Sequence, residues 1–384
     1  MPPTDDRSVN IRPGESGRRA RWPLIAVVAV LATGCGSVAG TRTGSTGPAV
    51  LTVNTSVPPS PTVPGAGNVT TLAAPPFGTA SAPSAVWGDG GIYAWFGSDA
   101  AFYNPATNQW RPLPAPGVHD APDAIVAWVG TMLVVWDGTH GEGARYSPTT
   151  GMWRPVAAAP ITGRTRHVAA AVATDNELFV WAGASPDGSL AADGAFYDPT
   201  IDQWTTIAAG PLTPRAFAAA TWTGTEVVVW GDTTTPNENT GALGDGAAYN
   251  PTVNRWRPSA PAVLEPGITS GIWTGTDVLY APTRSGNANG MFASTIAASY
   301  NPTSDTWRQV PLQAGHPGFQ PGWDGHLLLL FAKGTGIAID PTTGHSAAIV
   351  NATGVTLPAP AAVVSHQGTV YLVGGNQRLL AITS

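Results

Sequence analysis

Apolar residues in this chain come in short paired runs separated by a glycine turn. Ile125 to Trp128, then Gly130-Thr131, then Met132 to Trp136, has the length and β-branched character of two strands joined by a tight hairpin. The pattern returns around Trp87-Gly88-Asp89-Gly90, Trp222-Thr223-Gly224-Thr225, Trp273-Thr274-Gly275-Thr276 and Trp323-Asp324-Gly325. It recurs in weaker form at Ala173-Thr174-Asp175-Asn176 and Gln367-Gly368-Thr369. Seven hairpins are therefore predicted.

A second pattern follows each of the first six. It reads Tyr103-Asn-Pro-Ala-Thr-Asn-Gln-Trp110, Tyr146-Ser-Pro-Thr-Thr-Gly-Met-Trp153, Tyr197-Asp-Pro-Thr-Ile-Asp-Gln-Trp204, Tyr249-Asn-Pro-Thr-Val-Asn-Arg-Trp256 and Tyr300-Asn-Pro-Thr-Ser-Asp-Thr-Trp307, with a worn copy at Ile339-Asp-Pro-Thr-Thr-Gly-His345. A short polar residue before Pro suits a type I turn, because the side chain caps its own backbone and the ring presets φ. Trp-Arg-Pro follows three of these turns, at Trp110, Trp153 and Trp256. Pro lacks the N–H that a two-sided ladder needs, so this strand belongs at the outer edge of its sheet.

The first positions of the copies are spaced by 43, 51, 52, 51 and 39 residues. Units of that length, each unable to bury its own faces, are propeller blades of four strands. Seven hairpins and six turns leave one outer strand missing at the C-terminal end. Thr70 to Pro76 leads into Trp87 much as Arg111 to Pro116 leads into Trp128, which supplies it. The expected fold is all-β, a seven-bladed propeller over 69–384 whose last blade is closed by an N-terminal strand. Its inner strands are placed at Ala361 to Ser365, Thr369 to Val373 and Arg378 to Ile382. The recurring Tyr and Trp residues are read as wedges between blades rather than as ligand-stacking groups.

These residues resemble the kelch-repeat propellers of the galactose oxidase superfamily, in which a Gly-rich end of the second strand is followed by a Tyr and, after a short turn, a Trp. The Gly-Gly doublet survives at Gly374-Gly375, with Trp136-Asp137-Gly138, Trp181-Ala182-Gly183 and Trp230-Gly231 in its place elsewhere. The resemblance implies a kelch-like architecture. Some relatives oxidise sugars with copper and a Tyr–Cys radical, but the single Cys of this chain, Cys35, lies far from the repeats.

At the N-terminus, Arg18, Arg19 and Arg21 precede an apolar run from Leu24 to Leu31, and Ala32-Thr33-Gly34 leads to Cys35. This resembles a bacterial lipoprotein signal, with residues 1–34 removed and Cys35 lipidated. Leu31 stands one place early for the usual motif, and Gly17-Arg18-Arg19-Ala20-Arg21 lacks the surroundings of a twin-arginine signal. The apolar run is too short to span a bilayer, which takes roughly 20 residues. Residues 35–68, rich in Gly, Ser, Thr and Pro, read as a tether that holds the ring away from the membrane.

The chain carries a net charge of −6, and −8 once residues 1–34 are removed, with Lys333 its only lysine. No basic cluster exists to neutralise phosphates, so nucleic acid is excluded as a partner. The histidines show no His-Glu-x-x-His spacing, and neither Gly-x-Ser-x-Gly nor a phosphate-cradling Gly-x-x-x-x-Gly-Lys is present. No metal or other cofactor is expected, although His140 and Glu142 could join a site assembled in three dimensions.

Antiparallel blades place the second-to-third loops and the blade-to-blade connections at one end of the ring and the Asn-Pro-Thr turns at the other. The loops Asp137 to Gly143, Gly183 to Gly194, Gly231 to Gly246 and Ala281 to Gly290 are long and individual, so recognition is expected at their end. His119, Asp120, Arg164, Arg166, His167, Arg215, Glu265 and His316 should gather near the central mouth, with Arg166, His167 and Arg215 as donors to an anionic or polyhydroxylated ligand and Asp120 and Glu265 as acceptors. The plain alternative is that such residues satisfy neighbouring backbone carbonyls. Three functions follow: a non-catalytic module binding an envelope protein or glycan, which the tether and loops favour; a carbohydrate-modifying enzyme of mutarotase-like or epimerase-like type using His119, Asp120, Arg166, His167 and Glu265; or a scaffold using the turn end.

Overall fold

A computed structural model of the chain describes residues 68–77, 83–161, 164, 169–185, 187–235, 241–284, 294–316, 320–332, 334–349, 357, 360–374 and 378–383. Among them there is no helix, and the strands form seven antiparallel sheets of four. Blade 1 comprises Ser84–Gly88, Gly91–Trp95, Ala100–Asn104 and Gln109–Pro112, from the inside outwards. Blade 2 comprises Ile125–Val129, Met132–Asp137, Glu142–Ser147 and Met152–Pro155. Blades 3 to 6 repeat this order, beginning at Ala170–Ala173, Ala219–Trp222, Ile268–Trp273 and Gln320–Trp323.

Blade 7 takes Pro360–His366, Thr369–Gly374 and Arg378–Thr383 from the end of the chain and its outer strand, Asn68–Leu72, from the beginning. Val69 pairs with Ile382 and Leu72 with Leu379. The innermost strands neighbour one another in sequence order, and the first neighbours the last, so the ring is closed. The ring is a seven-bladed β-propeller, as the repeat period predicts.

Alternation along each strand explains why the blades need each other. In blade 2, Leu133 and Val135 pack against blade 1 while Val134 and Trp136 pack against blade 3. Both faces of the sheet are apolar and both are covered, which leaves no face for solvent. Seven apolar clusters result, one between each pair of neighbouring blades. Asn68–Leu72 serves two of them: Val69 packs between blades 6 and 7, and Leu72 between blades 7 and 1.

The repeated turn does more than reverse the chain. Its Tyr and Trp sit opposite each other on the third and fourth strands, as Tyr103 with Trp110 and Tyr249 with Trp256. In blade 1 the Tyr103 hydroxyl and the Ala73 N–H both donate to Asn108 Oδ1, and Trp110 Nε1–H donates to the Ala73 carbonyl, at 2.8–2.9 Å. The same clamp joins Ala157 to Tyr197, Asp202 and Trp204, Ala208 to Tyr249, Asn254 and Trp256, and Ala260 to Tyr300, Asp305 and Trp307. Each Ala belongs to the segment leaving the preceding blade, so the clamp ties neighbours together.

The clamped acceptor has φ near +50°, where Asn, Asp and Gly are the residues tolerated. In blades 2 and 6 it is Gly151 and Gly344, and there the donor position is a proline, Pro114 or Pro311. A missing acceptor is matched by a missing donor, so no buried N–H is orphaned.

This matching predicts a measurable coupling in blade 4. Ala208→Pro and Asn254→Gly should each lower stability by about 1 kcal/mol, the first by removing one of the two donors to Asn254 Oδ1 and the second by leaving the Ala208 N–H and the Tyr249 hydroxyl without their acceptor. The double variant recreates the blade 2 pairing, so its loss should fall short of the sum by about 1 kcal/mol in a denaturant double-mutant cycle. Strict additivity would show that the pairing is incidental.

Candidate functional site

At one end of the ring lie the second-to-third loops and the connections between blades; at the other lie the Tyr/Trp turns and the first hairpins. The loop end is less open than its sequence suggests. Asp137 to Gly143 closes as a hairpin in which Asp137 pairs with Glu142, and Gly183 to Gly194 is largely taken up by the strands Leu178–Ala184 and Leu190–Asp198. Gly231 to Gly246 keeps a long connection, held where Thr233 bridges to both Ala216 and Ala242.

The blade 2 hairpin is built tightly. Gly141 N–H donates to the Asp137 carbonyl at 2.8 Å, and Thr139 N–H donates to Asp137 Oδ1 at 2.9 Å, an Asx turn. Gly138 bridges to the backbone of Arg164, on the connection from blade 2 to blade 3, and a Cβ there would lie 1.9 Å from the Arg164 carbonyl oxygen. Only glycine permits that approach.

His119, on the connection from blade 1 to blade 2, meets this hairpin. Its Nε2 lies 2.9 Å from Asp137 Oδ2 and 3.0 Å from His140 Nδ1, while its Nδ1 lies 3.0 Å from Glu142 Oε2. His140 Nδ1 is 2.6 Å from the same Asp137 oxygen. Asp137 is buried, with its side chain 10% exposed, whereas the rings of His119 and His140 are 38% and 59% exposed. The hydrogen bond to Asp137, joined by Glu142, moves the His119 pKa above its ordinary value. For Asp137, burial pushes the carboxyl up, but hydrogen bonds from His140, the Thr139 N–H and His119 outweigh it and leave its pKa below the usual range.

The other expected site residues are distributed differently. Asp120 and Glu265 are exposed on blade-to-blade connections. Arg166 and His167 fall outside the described residues, as do Cys35 and the signal and tether regions up to residue 67; Asn68, expected to end the tether, opens the outer strand of blade 7. His316 ends the outer strand Thr306–His316 of blade 5, shortly before Gln320–Trp323, the inner strand of blade 6.

Arg164 and Arg215 correct the expectation of ligand-facing guanidinium groups. Arg215 is fully buried, and its Nη1 donates to the Gly231 carbonyl at 2.8 Å and to Asp245 Oδ1 at 2.9 Å. Its Nη2 reaches Asp245 Oδ2 at 3.1 Å, and its Nε donates to the Thr213 carbonyl at 3.0 Å. Arg164 does the same one blade earlier, donating to the Ala182 carbonyl and to Asp193 Oδ1, both at 2.7 Å. Each guanidinium ties an incoming connection to the end of its blade's second strand, because carbonyls buried there need donors. The Arg215 guanidinium holds the Asp245 carboxyl below its ordinary pKa. Asp232 lies nearby, almost wholly buried, and burial pushes its carboxyl up to about 8 against the opposing field of Arg215.

Asp137 joins the cluster with His119 and His140 although sequence reasoning did not single it out as a site residue; a carboxylate three residues before His140, in Trp136-Asp137-Gly138, was the available signal.

No protein family matches the chain, and no curated protein matches it. Among solved structures it is similar to YjhT, with 14% identity and a TM-score of 0.51 over 72% of this chain and 99% of that one. Identity that low speaks for the fold alone. The class defined here is therefore a seven-bladed β-propeller, with a His–carboxylate cluster at its loop end.

Proposed function

We propose that this chain is a membrane-tethered, extracytoplasmic, kelch-like propeller whose loop end binds an envelope protein or glycan without catalysis. The observation that carries this reading is the inequality of the two ends. The turn end repeats one clamp around the ring, whereas the loop end differs from blade to blade and exposes His119, Asp120, His140 and Glu265. A rigid frame with individual loops at one end is how recognition surfaces are built. Kelch-like character is supported by the Tyr and Trp spacing, and anchoring by the basic, apolar and Cys35 pattern of the N-terminus.

Affinity capture from envelope extracts with the full chain, beside a glycan array, tests the reading. A ligand retained by the native protein and lost when Thr235 to Thr240, inside the Gly231 to Gly246 loop, is exchanged for a short turn with the melting curve unchanged supports it. Equal retention by the exchanged ring moves binding to the turn end or rim. Turnover of a sugar by the purified chain would transfer the assignment to the carbohydrate-modifying alternative. Cys35→Ala should release the protein into the soluble fraction.

A further inference from the structure

We propose that His119, Asp137 and His140 form a binding site for one divalent transition-metal ion at the loop end of blade 2. Their donor atoms, His119 Nε2, Asp137 Oδ2 and His140 Nδ1, are mutually 2.6–3.0 Å apart. Ligands about 2.0–2.2 Å from a tetrahedral zinc lie roughly 3.3–3.5 Å from one another, so the triangle needs to open by roughly 0.3–0.9 Å, most of it along the edge from His140 to Asp137. His140, on the exposed hairpin tip, has room to do so.

The surrounding groups select these three atoms as ligands. Glu142 Oε2 faces His119 Nδ1 at 3.0 Å, so Nδ1–H donates to the carboxylate and the Nε2 lone pair is directed at the cluster. A carboxylate behind a histidine in this way fixes the tautomer of a metal ligand and raises its basicity. The Thr139 N–H occupies Asp137 Oδ1, which leaves Oδ2 as the free oxygen.

Protons alone leave one of the four contacts unserved. With one proton on each facing nitrogen, both can point at Asp137 Oδ2, but then the 3.0 Å contact between the imidazoles has no proton to share. Moving either proton into that contact leaves one nitrogen lone pair against the carboxylate. A single cation meets all three donors at once.

The donor set names the ion's class. Two imidazoles and one carboxylate suit zinc, iron(II) or cobalt(II), whereas calcium and magnesium demand mostly oxygen. The half-exposed rings leave the remaining coordination positions open to water or to a ligand oxygen. The site stands whether or not the loop end recognises a protein or glycan.

The test uses the purified full-length chain, stripped with a chelator and titrated with zinc by calorimetry and with cobalt(II) by visible absorption. One ion per chain is expected, with cobalt bands of nitrogen and oxygen ligation and no thiolate charge-transfer band from Cys35. His119→Gln and His140→Ala should each weaken zinc binding by about 100-fold, and Glu142→Gln by about 10-fold, as for an outer-shell partner. His345→Ala, in the worn turn of blade 6, should change nothing. Should Asp137→Asn fail to fold, the exposed His140→Ala variant decides, provided its melting curve matches wild type. Absence of saturable binding at micromolar zinc, undiminished binding in both histidine variants, or a thiolate band in the cobalt spectrum would each overturn the proposal.

Discussion

Deletion of residues 68–74 is expected to abolish the cooperative unfolding transition of the ring. The segment supplies the outer strand of blade 7, pairing along its length with Arg378–Thr383. It also places Val69 and Leu72 in two different inter-blade clusters. Losing two such side chains costs about 3–6 kcal/mol, and the Ala73 clamp to Asn108 and Trp110 adds about 1 kcal/mol for each hydrogen bond. A domain of ordinary stability has only about 5–15 kcal/mol to lose. The exposed edge of Arg378–Thr383 would further invite pairing between chains. Far-UV circular dichroism with thermal and urea melts would show a broad or absent transition and aggregation; a sharp melt close to wild type would mean that the ring holds without its closing strand. Val69→Ala, which keeps the ladder, should cost no more than about 1–2 kcal/mol.

Arg215→Ala is the second large effect, about 3–5 kcal/mol of destabilisation. Most of that loss comes from the buried Gly231 carbonyl, which loses its donor, and from the space left by a fully buried side chain. The Asp245 side chain is 55% exposed and would be rehydrated in that variant, whereas Asp245→Ala leaves the fully buried Arg215 guanidinium without its carboxylate and should cost about 3 kcal/mol. Equilibrium urea denaturation of the two variants compares them directly. A negligible loss for Asp245→Ala would mean that the backbone carbonyls alone compensate the buried charge. A soluble Arg215→Lys variant keeps a charge but lacks the planar fork, and should recover only part of the loss.

Much of the architecture was legible because it is written locally. Paired apolar runs, the Tyr and Trp turn and the proline-marked edge each depend on a few consecutive residues, and their repetition sets the number of blades. Even the closing strand announced itself, through the likeness of Thr70 to Pro76 to the segments that leave other blades. The exchange of Ala with Asn or Asp for Pro with Gly was also present in the sequence. Its meaning was hidden, because the partners stand 35 to 46 residues apart, as Ala73 with Asn108 and Ala208 with Asn254, and touch only across a blade interface.

The loop end was harder to read for a physical reason. Whether an arginine before an inner strand meets solvent or a buried carbonyl depends on how two blades close on it. Sequence left Arg164 and Arg215 open to either role; packing turned both onto backbone carbonyls. Likewise, Asp137 and His140 lie 18 and 21 residues from His119, with no ligand spacing to mark them, and converge only because the hairpin of blade 2 folds against the connection from blade 1. Periodic apolar patterning determined by itself that this chain closes into seven blades, since alternating faces leave each sheet no other way to bury its surface. The tertiary structure alone decided which polar residues hold the ring together and which remain free for chemistry, because that choice rests on contacts between blades that no local pattern encodes.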